Sequence, residues 1–276
     1  MNFEEAILKL NHNQEVYVRE WSPAKPEGYL VILIHGLSDH GGRFIHTGSR
    51  FAENGHVFMA PDLPGNGRTG GKRGHLESYE GIMDWIGAVT EAFREKWPHL
   101  PVILYGQSMG GNLALNYCLR KQPDIAGAVI SSPWLRLANP PSRMTEAAGL
   151  AIGRLFPSLT IPDGIRSGDL CHSETVCKAY DDDPLVHGRI SLNTYRIITQ
   201  SGEWAIRNAG LLNCPVLLMH GSSDRITSHE ASRLFAIQVP GKCTFRTWQG
   251  LFHELHNEPQ SPEVLEYVLN WMSSLV

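Results

Sequence analysis

Short apolar runs alternate along this chain with stretches of helical periodicity. Val16-Tyr17-Val18-Arg19-Glu20-Trp21 alternates apolar and polar positions, the pattern of a half-buried strand. Tyr29-Leu30-Val31-Ile32-Leu33-Ile34 is apolar throughout, which predicts a central strand covered on both faces. Further buried strands are predicted at His56 to Ala60, Val102 to Tyr105, Ile125 to Ile130, Val216 to Met219 and Thr244 to Trp248. Ile82, Trp85, Ile86, Val89, Ala92, Phe93 and Trp97 recur at helical spacing over residues 78–97, and Pro98 closes that helix. Val264, Tyr267, Val268, Trp271, Met272 and Leu275 repeat the spacing in a last helix.

Such alternation predicts the α/β class, a mostly parallel central sheet flanked by helices. The rhythm breaks between Leu135 and Leu211, which holds Pro140-Pro141, Pro157, Pro162 and Pro184 and no clean strand. There Ala147, Leu150, Ile152, Leu155, Phe156, Leu159 and Ile161 are mixed with turn formers. The expected organisation is a core from residues 1–134 and 212–276, with 135–211 inserted as a cap. That cap would lie over the C-terminal edge of the sheet, where open α/β folds bind ligands.

Composition changes this picture little. Hydrophobic residues at 42% and charged residues at 19% suit a chain that buries a sizeable core. A formal net charge of -4 offers no basic surplus, which argues against a nucleic-acid partner. No apolar stretch approaches the roughly 20 residues needed to span a bilayer. The start, Met1-Asn2-Phe3-Glu4-Glu5, is acidic and unlike a secretory signal, so a cytoplasmic location is expected. The five cysteines are few, odd in number and scattered, which fits neither a disulfide framework nor a zinc site. Cys171 and Cys177 lie close enough to invite a loop disulfide, but nothing else suggests an oxidising compartment, so they are read as free. The 13 histidines show no ligand spacing, and no cofactor or metal is implied.

Candidate chemistry centres on Ser108 in Gly106-Gln107-Ser108-Met109-Gly110, between a predicted strand and a predicted helix. A strand, a sharp turn with small flanking residues and a helix are what a nucleophile elbow requires. A serine hydroxyl needs an imidazole to take its proton, and the imidazole needs a carboxylate. On such a fold the chain order is Ser, acid, His. Asp224 fits the acid, in the turn-rich His220-Gly221-Ser222-Ser223-Asp224 after a predicted strand. His253 fits the base, in the loop after Thr244–Trp248. His256, three residues on, is either a surface histidine or a substrate contact. The two are not spaced for a zinc protease, which needs its two histidines four apart on a helix. An oxyanion hole needs two backbone N–H groups, expected from Met109 and from Leu37 in His35-Gly36-Leu37-Ser38.

The ordered motifs resemble the α/β-hydrolase family, and within it the monoacylglycerol lipase and lysophospholipase group. The resemblance covers nearly the whole chain. It runs through His35–Phe44, Asp62–Thr69, Gly106–Gly111, Ser132–Pro140, Tyr180–Leu185 and Gly250–Glu258. It implies the same triad, Ser108, Asp224 and His253, and a polar head-group pocket at Asp39, Arg43, Tyr180 and His256. It also implies a cap with an apolar tunnel and a surface that meets membrane or micelle, the protein being otherwise cytoplasmic and peripheral. The expected activity is hydrolysis of monoacylglycerols or related single-chain lipid esters through an acyl-enzyme on Ser108. Alternatives are a lysophospholipase or general carboxylesterase, and a prolyl-aminopeptidase-type peptidase reading a free amine with cap acids such as Asp163 and Asp181–Asp183. A non-enzymatic receptor would usually have lost a triad member, and none is missing. The chain departs from many relatives at Gly65-Asn66-Gly67, where they carry Gly-His-Gly, and at Asp39, where close relatives often have glutamate.

Overall fold

Among the described residues, eight strands share one sheet. In chain order they are β1 (Asn2–Lys9), β2 (Glu15–Ser22), β3 (Leu30–Ile34), β4 (Val57–Pro61), β5 (Val102–Gln107) and β6 (Gly127–Ser131). A separate two-stranded ribbon follows, β7 (Thr160–Pro162) with β8 (Arg189–Ser191), before β9 (Val216–Gly221) and β10 (Cys243–Trp248) complete the sheet. The order across the sheet is β1-β2-β4-β3-β5-β6-β9-β10. The pairs from β4 to β10 are parallel, and β1 and β2 extend the edge in antiparallel fashion. The computed structural model describes residues 1–10 and 14–275, with the side chains of Arg143 and Leu150 outside that description.

The sheet is sandwiched because its central strands are apolar on both faces. Along β3, Leu30, Ile32 and Ile34 join one core cluster, and Val31 and Leu33 join the other. This is the period-2 alternation of a pleated strand. All five side chains are buried, each stabilising the fold by about 1.5–3 kcal/mol as an upper estimate. The first cluster is covered by α2 (Tyr79–Lys96) and α3 (Met109–Lys121), and the second by α1 (Ile45–Glu53) and α8 (Ser261–Ser273).

The remaining helices are α4 (Arg143–Leu155), α5 (Glu174–Asp182), α6 (Leu192–Arg207) and α7 (His229–Ala236). Everything between β6 and β9 stays out of the main sheet. That stretch is not strandless, since β7 and β8 pair through Ile161 and Ile190. Nor is it uniformly peripheral. Ile197, Ile198, Ala205 and Ile206 of α6 belong to the main core, and Asn112 and Asn116 of α3 donate to the Ile198 and Ser201 carbonyls at 3.1 and 3.2 Å. By contrast, Met144, Leu155 and Phe156 at α4 are 85%, 76% and 61% exposed. Among the described residues no helix is long and apolar enough to cross a membrane.

Candidate active site

Ser108 stands between β5 and α3 with φ 56° and ψ −118°, a conformation that costs a non-glycine residue roughly 1–3 kcal/mol. Its main chain is held by Ser131 O accepting from Ser108 N–H at 3.0 Å and by Trp134 N–H donating to Ser108 O at 2.9 Å. The flanking glycines are needed for close approach. A Cβ on Gly110 would collide with the carbonyl oxygens of Ile34 and His35, and one on Gly106 would sit 2.6 Å from Gly110 O. The five-residue pattern is thus the local solution to packing a helix against two strands at a sharp turn.

The topology brings the other candidates to the same edge of the sheet, because Asp224 follows β9 and His253 follows β10. His253 Nδ1 lies 2.8 Å from Asp224 Oδ2, with both side chains buried. Asp224 Oδ1 accepts from the Ile226 and Thr227 N–H groups at 2.8 and 3.0 Å. Its Oδ2 also faces Thr227 Oγ1 at 2.9 Å and a second imidazole, His220 Nε2, at 3.0 Å. His220 Nδ1 is in turn 2.8 Å from Ser232 Oγ. Burial alone would raise the pKa of Asp224, but the His253 and His220 rings reverse this and hold it well below the carboxylate range. The carboxylate therefore fixes the proton on His253 Nδ1 and leaves Nε2 as the basic nitrogen. Neither that nitrogen nor Ser108 Oγ has another hydrogen-bond partner among the described residues. No described hydrogen bond joins Ser108 to His253.

For His253, burial disfavours the imidazolium, yet the Asp224 carboxylate outweighs it and the pKa lies above the ordinary 6.5. A His253 acting as general base would work only when neutral, so activity is expected to be lost as pH falls through this raised value. Asp224, held far lower, stays ionised across the same window. The kcat/KM profile of an ester substrate is therefore expected to show one single-proton acid limb with its midpoint above pH 6.5. A midpoint below that value, or a two-proton slope, would contradict the assignment.

The peptide expected to supply the second oxyanion donor is oriented by His35. Leu63 N–H donates to His35 Nε2 at 2.9 Å, so the ring proton sits on Nδ1, 2.9 Å from Gly36 O. Burial keeps His35 neutral by lowering its pKa, as this tautomer requires. With the Gly36 carbonyl drawn to His35, the trans peptide directs Leu37 N–H the opposite way. Leu37 N–H has no partner among the described hydrogen bonds. Met109 N–H is the first orphan donor of α3, at the positive end of the helix dipole. Gly36 packs against the serine, since a Cβ there would be 3.4 Å from Ser108 Cβ.

Asp39, Arg43, Tyr180 and His256 also come together, around a residue to which the sequence assigned no role. Arg43 donates both terminal nitrogens to Glu254, each at 2.7 Å, and pairs with Asp39 at 3.1 Å. The Tyr180 ring covers its guanidinium at 4.7 Å, and His256 stacks on Phe44 at 4.2 Å. Burial would raise the Glu254 pKa, but Arg43 brings it down to about 2. Burial lowers His256 to about 4, so its ring is neutral near neutral pH. The stretch between β6 and β9 reaches this loop as well. Ser38 Oγ donates to Asp163 at 2.6 Å, His40 Nε2 meets Asp183 at 2.9 Å, and His187 Nε2 lies 3.0 Å from Asn66 Oδ1. Glu254 and His35 escape a sequence reading because each acts through a partner far along the chain, His220 because it lies inside the end of β9, and Thr227 because a threonine near a turn aspartate carries no signal of its own. Among the described residues no three His, Cys, Asp or Glu side chains gather as a metal site. Cys171 and Cys177 are free thiols, and Cys177 donates to Ser167 O at 3.1 Å.

A strained serine elbow, a buried Asp–His pair and two unpartnered main-chain donors on a mostly parallel sheet define a serine hydrolase of the α/β-hydrolase class. The chain belongs to the family described as Serine aminopeptidase, S33 (Hydrolase_4), whose model matches residues 25–260. An uncharacterized abhydrolase domain-containing protein of Dictyostelium discoideum is 34% identical over 98% of this chain, which spans 29% of that protein's length. The monoacylglycerol lipase of Mycolicibacterium smegmatis is 30% identical, covering 92% of this chain and 91% of its own. The crystal structure of Paleococcus ferrophilus monoacylglycerol lipase superposes with a TM-score of 0.86 at 30% identity, covering 95% of this chain and all of its own.

Proposed function

We propose that this chain hydrolyses monoacylglycerols and related single-chain lipid esters through an acyl-enzyme on Ser108. The observation that carries the reading is the buried Asp224–His253 pair at the same sheet edge as the strained Ser108, in a chain similar over nearly its full length to monoacylglycerol lipases. His253 Nε2 takes the Ser108 proton as Oγ attacks the ester carbonyl. Leu37 and Met109 N–H receive the developing oxyanion, and such donors are each worth roughly 10²–10³ in rate. His253 then returns its proton to the departing glycerol oxygen, and a water deprotonated by the same nitrogen releases the fatty acid. Asp39, Arg43, Tyr180 and His256 form the head-group side of the site in this reading. Residues 135–211 form the cap, with the exposed Met144, Leu155 and Phe156 meeting the lipid surface. The family description includes an aminopeptidase, but of the cap acids that could read a free amine Asp163 and Asp183 are engaged with Ser38 and His40 and Asp181 with Ser167, which favours the ester reading.

The test compares a monoacylglycerol with an aryl ester of the same acyl chain, which lacks glycerol. Asp39→Asn and His256→Ala are expected to lower kcat/KM about 10-fold or more on the glyceryl ester and no more than about 3-fold on the aryl ester. Equal losses on both substrates would remove the head-group assignment. A wild type that cleaves the aryl ester but not the monoacylglycerol would remove the lipid reading.

A further inference from the structure

We propose that Glu254 sets the charge preference of the head-group site, cancelling Arg43 so that the site reads hydroxyls and turns away anionic head groups. The inference rests on the lipid-ester reading above and adds which esters are refused. An unopposed guanidinium at this position would be a hook for phosphate, whose oxygens match its planar fork. Here Glu254 occupies both terminal nitrogens at 2.7 Å, and Asp39 takes a further contact at 3.1 Å. The Tyr180 ring covers one face. One positive charge thus sits between two carboxylates, and the neighbouring His256 is neutral, so the cluster is net negative.

What remains for a ligand is one acceptor and one donor. Asp39 Oδ2 and His256 Nδ1 are both buried and have no hydrogen-bond partner among the described residues. Asn257 Nδ2 is 2.7 Å from Glu254 Oε2 and 3.2 Å from His256 Nε2. The carboxylate requires the amide NH₂ on that side, so the network assigns His256 Nε2 as acceptor and puts the proton on Nδ1. A hydroxyl complements this pair, giving its proton to Asp39 and accepting from His256. A phosphate brings acceptors and negative charge only, so it would meet the Asp39 carboxylate with nothing to donate. Glu254 also holds Arg43 away from any such anion.

The experiment uses 1-monoacylglycerol and lysophosphatidic acid of one acyl chain, which differ by a phosphate on glycerol. Wild-type kcat/KM is expected to favour the neutral ester by roughly 100-fold or more. Glu254→Gln should narrow that ratio by at least about 10-fold, whereas Glu254→Asp, which keeps the charge, should stay within about 3-fold of wild type. Because Glu254 adjoins His253, either change alters the base for both substrates, and taking the ratio cancels that effect. An unchanged ratio in Glu254→Gln, or equal narrowing in Glu254→Asp, overturns the proposal. Product inhibition of the wild type needs no variant. Glycerol 1-phosphate should inhibit no better than glycerol, and tighter inhibition by the phosphate overturns the proposal too. Absent monoacylglycerol turnover with aryl-ester cleavage intact removes the underlying reading instead, and this inference with it.

Discussion

Ser108→Ala is expected to reduce monoacylglycerol turnover by on the order of 10⁶-fold, the scale seen when a triad serine is lost. The variant should fold. Ser108 Oγ makes no described hydrogen bond, and alanine keeps the Cβ that already packs near Gly36. The backbone strain at φ 56° stays, so neither contact nor strain is exchanged on substitution. Thermal unfolding is therefore expected within a few degrees of wild type, and labelling by a fluorophosphonate should vanish. Residual activity above a few per cent with labelling intact would assign the nucleophile elsewhere.

Asp224→Asn is expected to lower kcat about 10⁴-fold, and the geometry dictates why. The Ile226 and Thr227 N–H groups both donate to Oδ1, so an asparagine there must keep its oxygen on that side. Its NH₂ then faces His253 Nδ1 and His220 Nε2, where the aspartate had accepted from both. His253 must lose the Nδ1 proton to accept from the amide, which leaves the proton on Nε2, the nitrogen that should receive one from serine. His220 faces a donor as well, a mismatch worth about 1–3 kcal/mol of stability if its ring cannot turn. Steady-state kinetics with a melting curve would separate the two effects. A loss of less than about 10-fold would remove Asp224 from the triad.

Much of this arrangement is legible in the sequence because its physics is local. The central strands announce themselves by unbroken apolar runs, and Ser108 by small residues at a strand-to-helix junction. Asp224 and His253 follow from their places after late strands. The edge strand β1 is not legible, because all of it but the partly buried Leu8 is exposed and Asn2-Phe3-Glu4-Glu5-Ala6-Ile7-Leu8-Lys9 shows no alternation of apolar and polar positions. The helix α1 hides because Ile45-His46-Thr47-Gly48-Ser49-Arg50 looks polar, although Phe51 and Ala52 anchor it. The stretch 135–211 reads as one loop-rich insertion, whereas α6 is built into the core on α3. Its apolar positions are spaced along a helix whose partner the sequence does not name. Most hidden of all is the pairing of Arg43 with Glu254, because 211 residues separate them and only the fold closes that distance.

The His35 arrangement has a consequence for how the molecule tolerates change. The proton position on that ring, and through it the direction of Leu37 N–H, is dictated by the main-chain N–H of Leu63. A main-chain donor survives every substitution but one. The instruction survives a change of side chain at position 63 itself, provided that position never becomes proline, which has no N–H to give. Part of the machinery is thus stored in backbone rather than in residue identity, where a comparison of side chains would not find it.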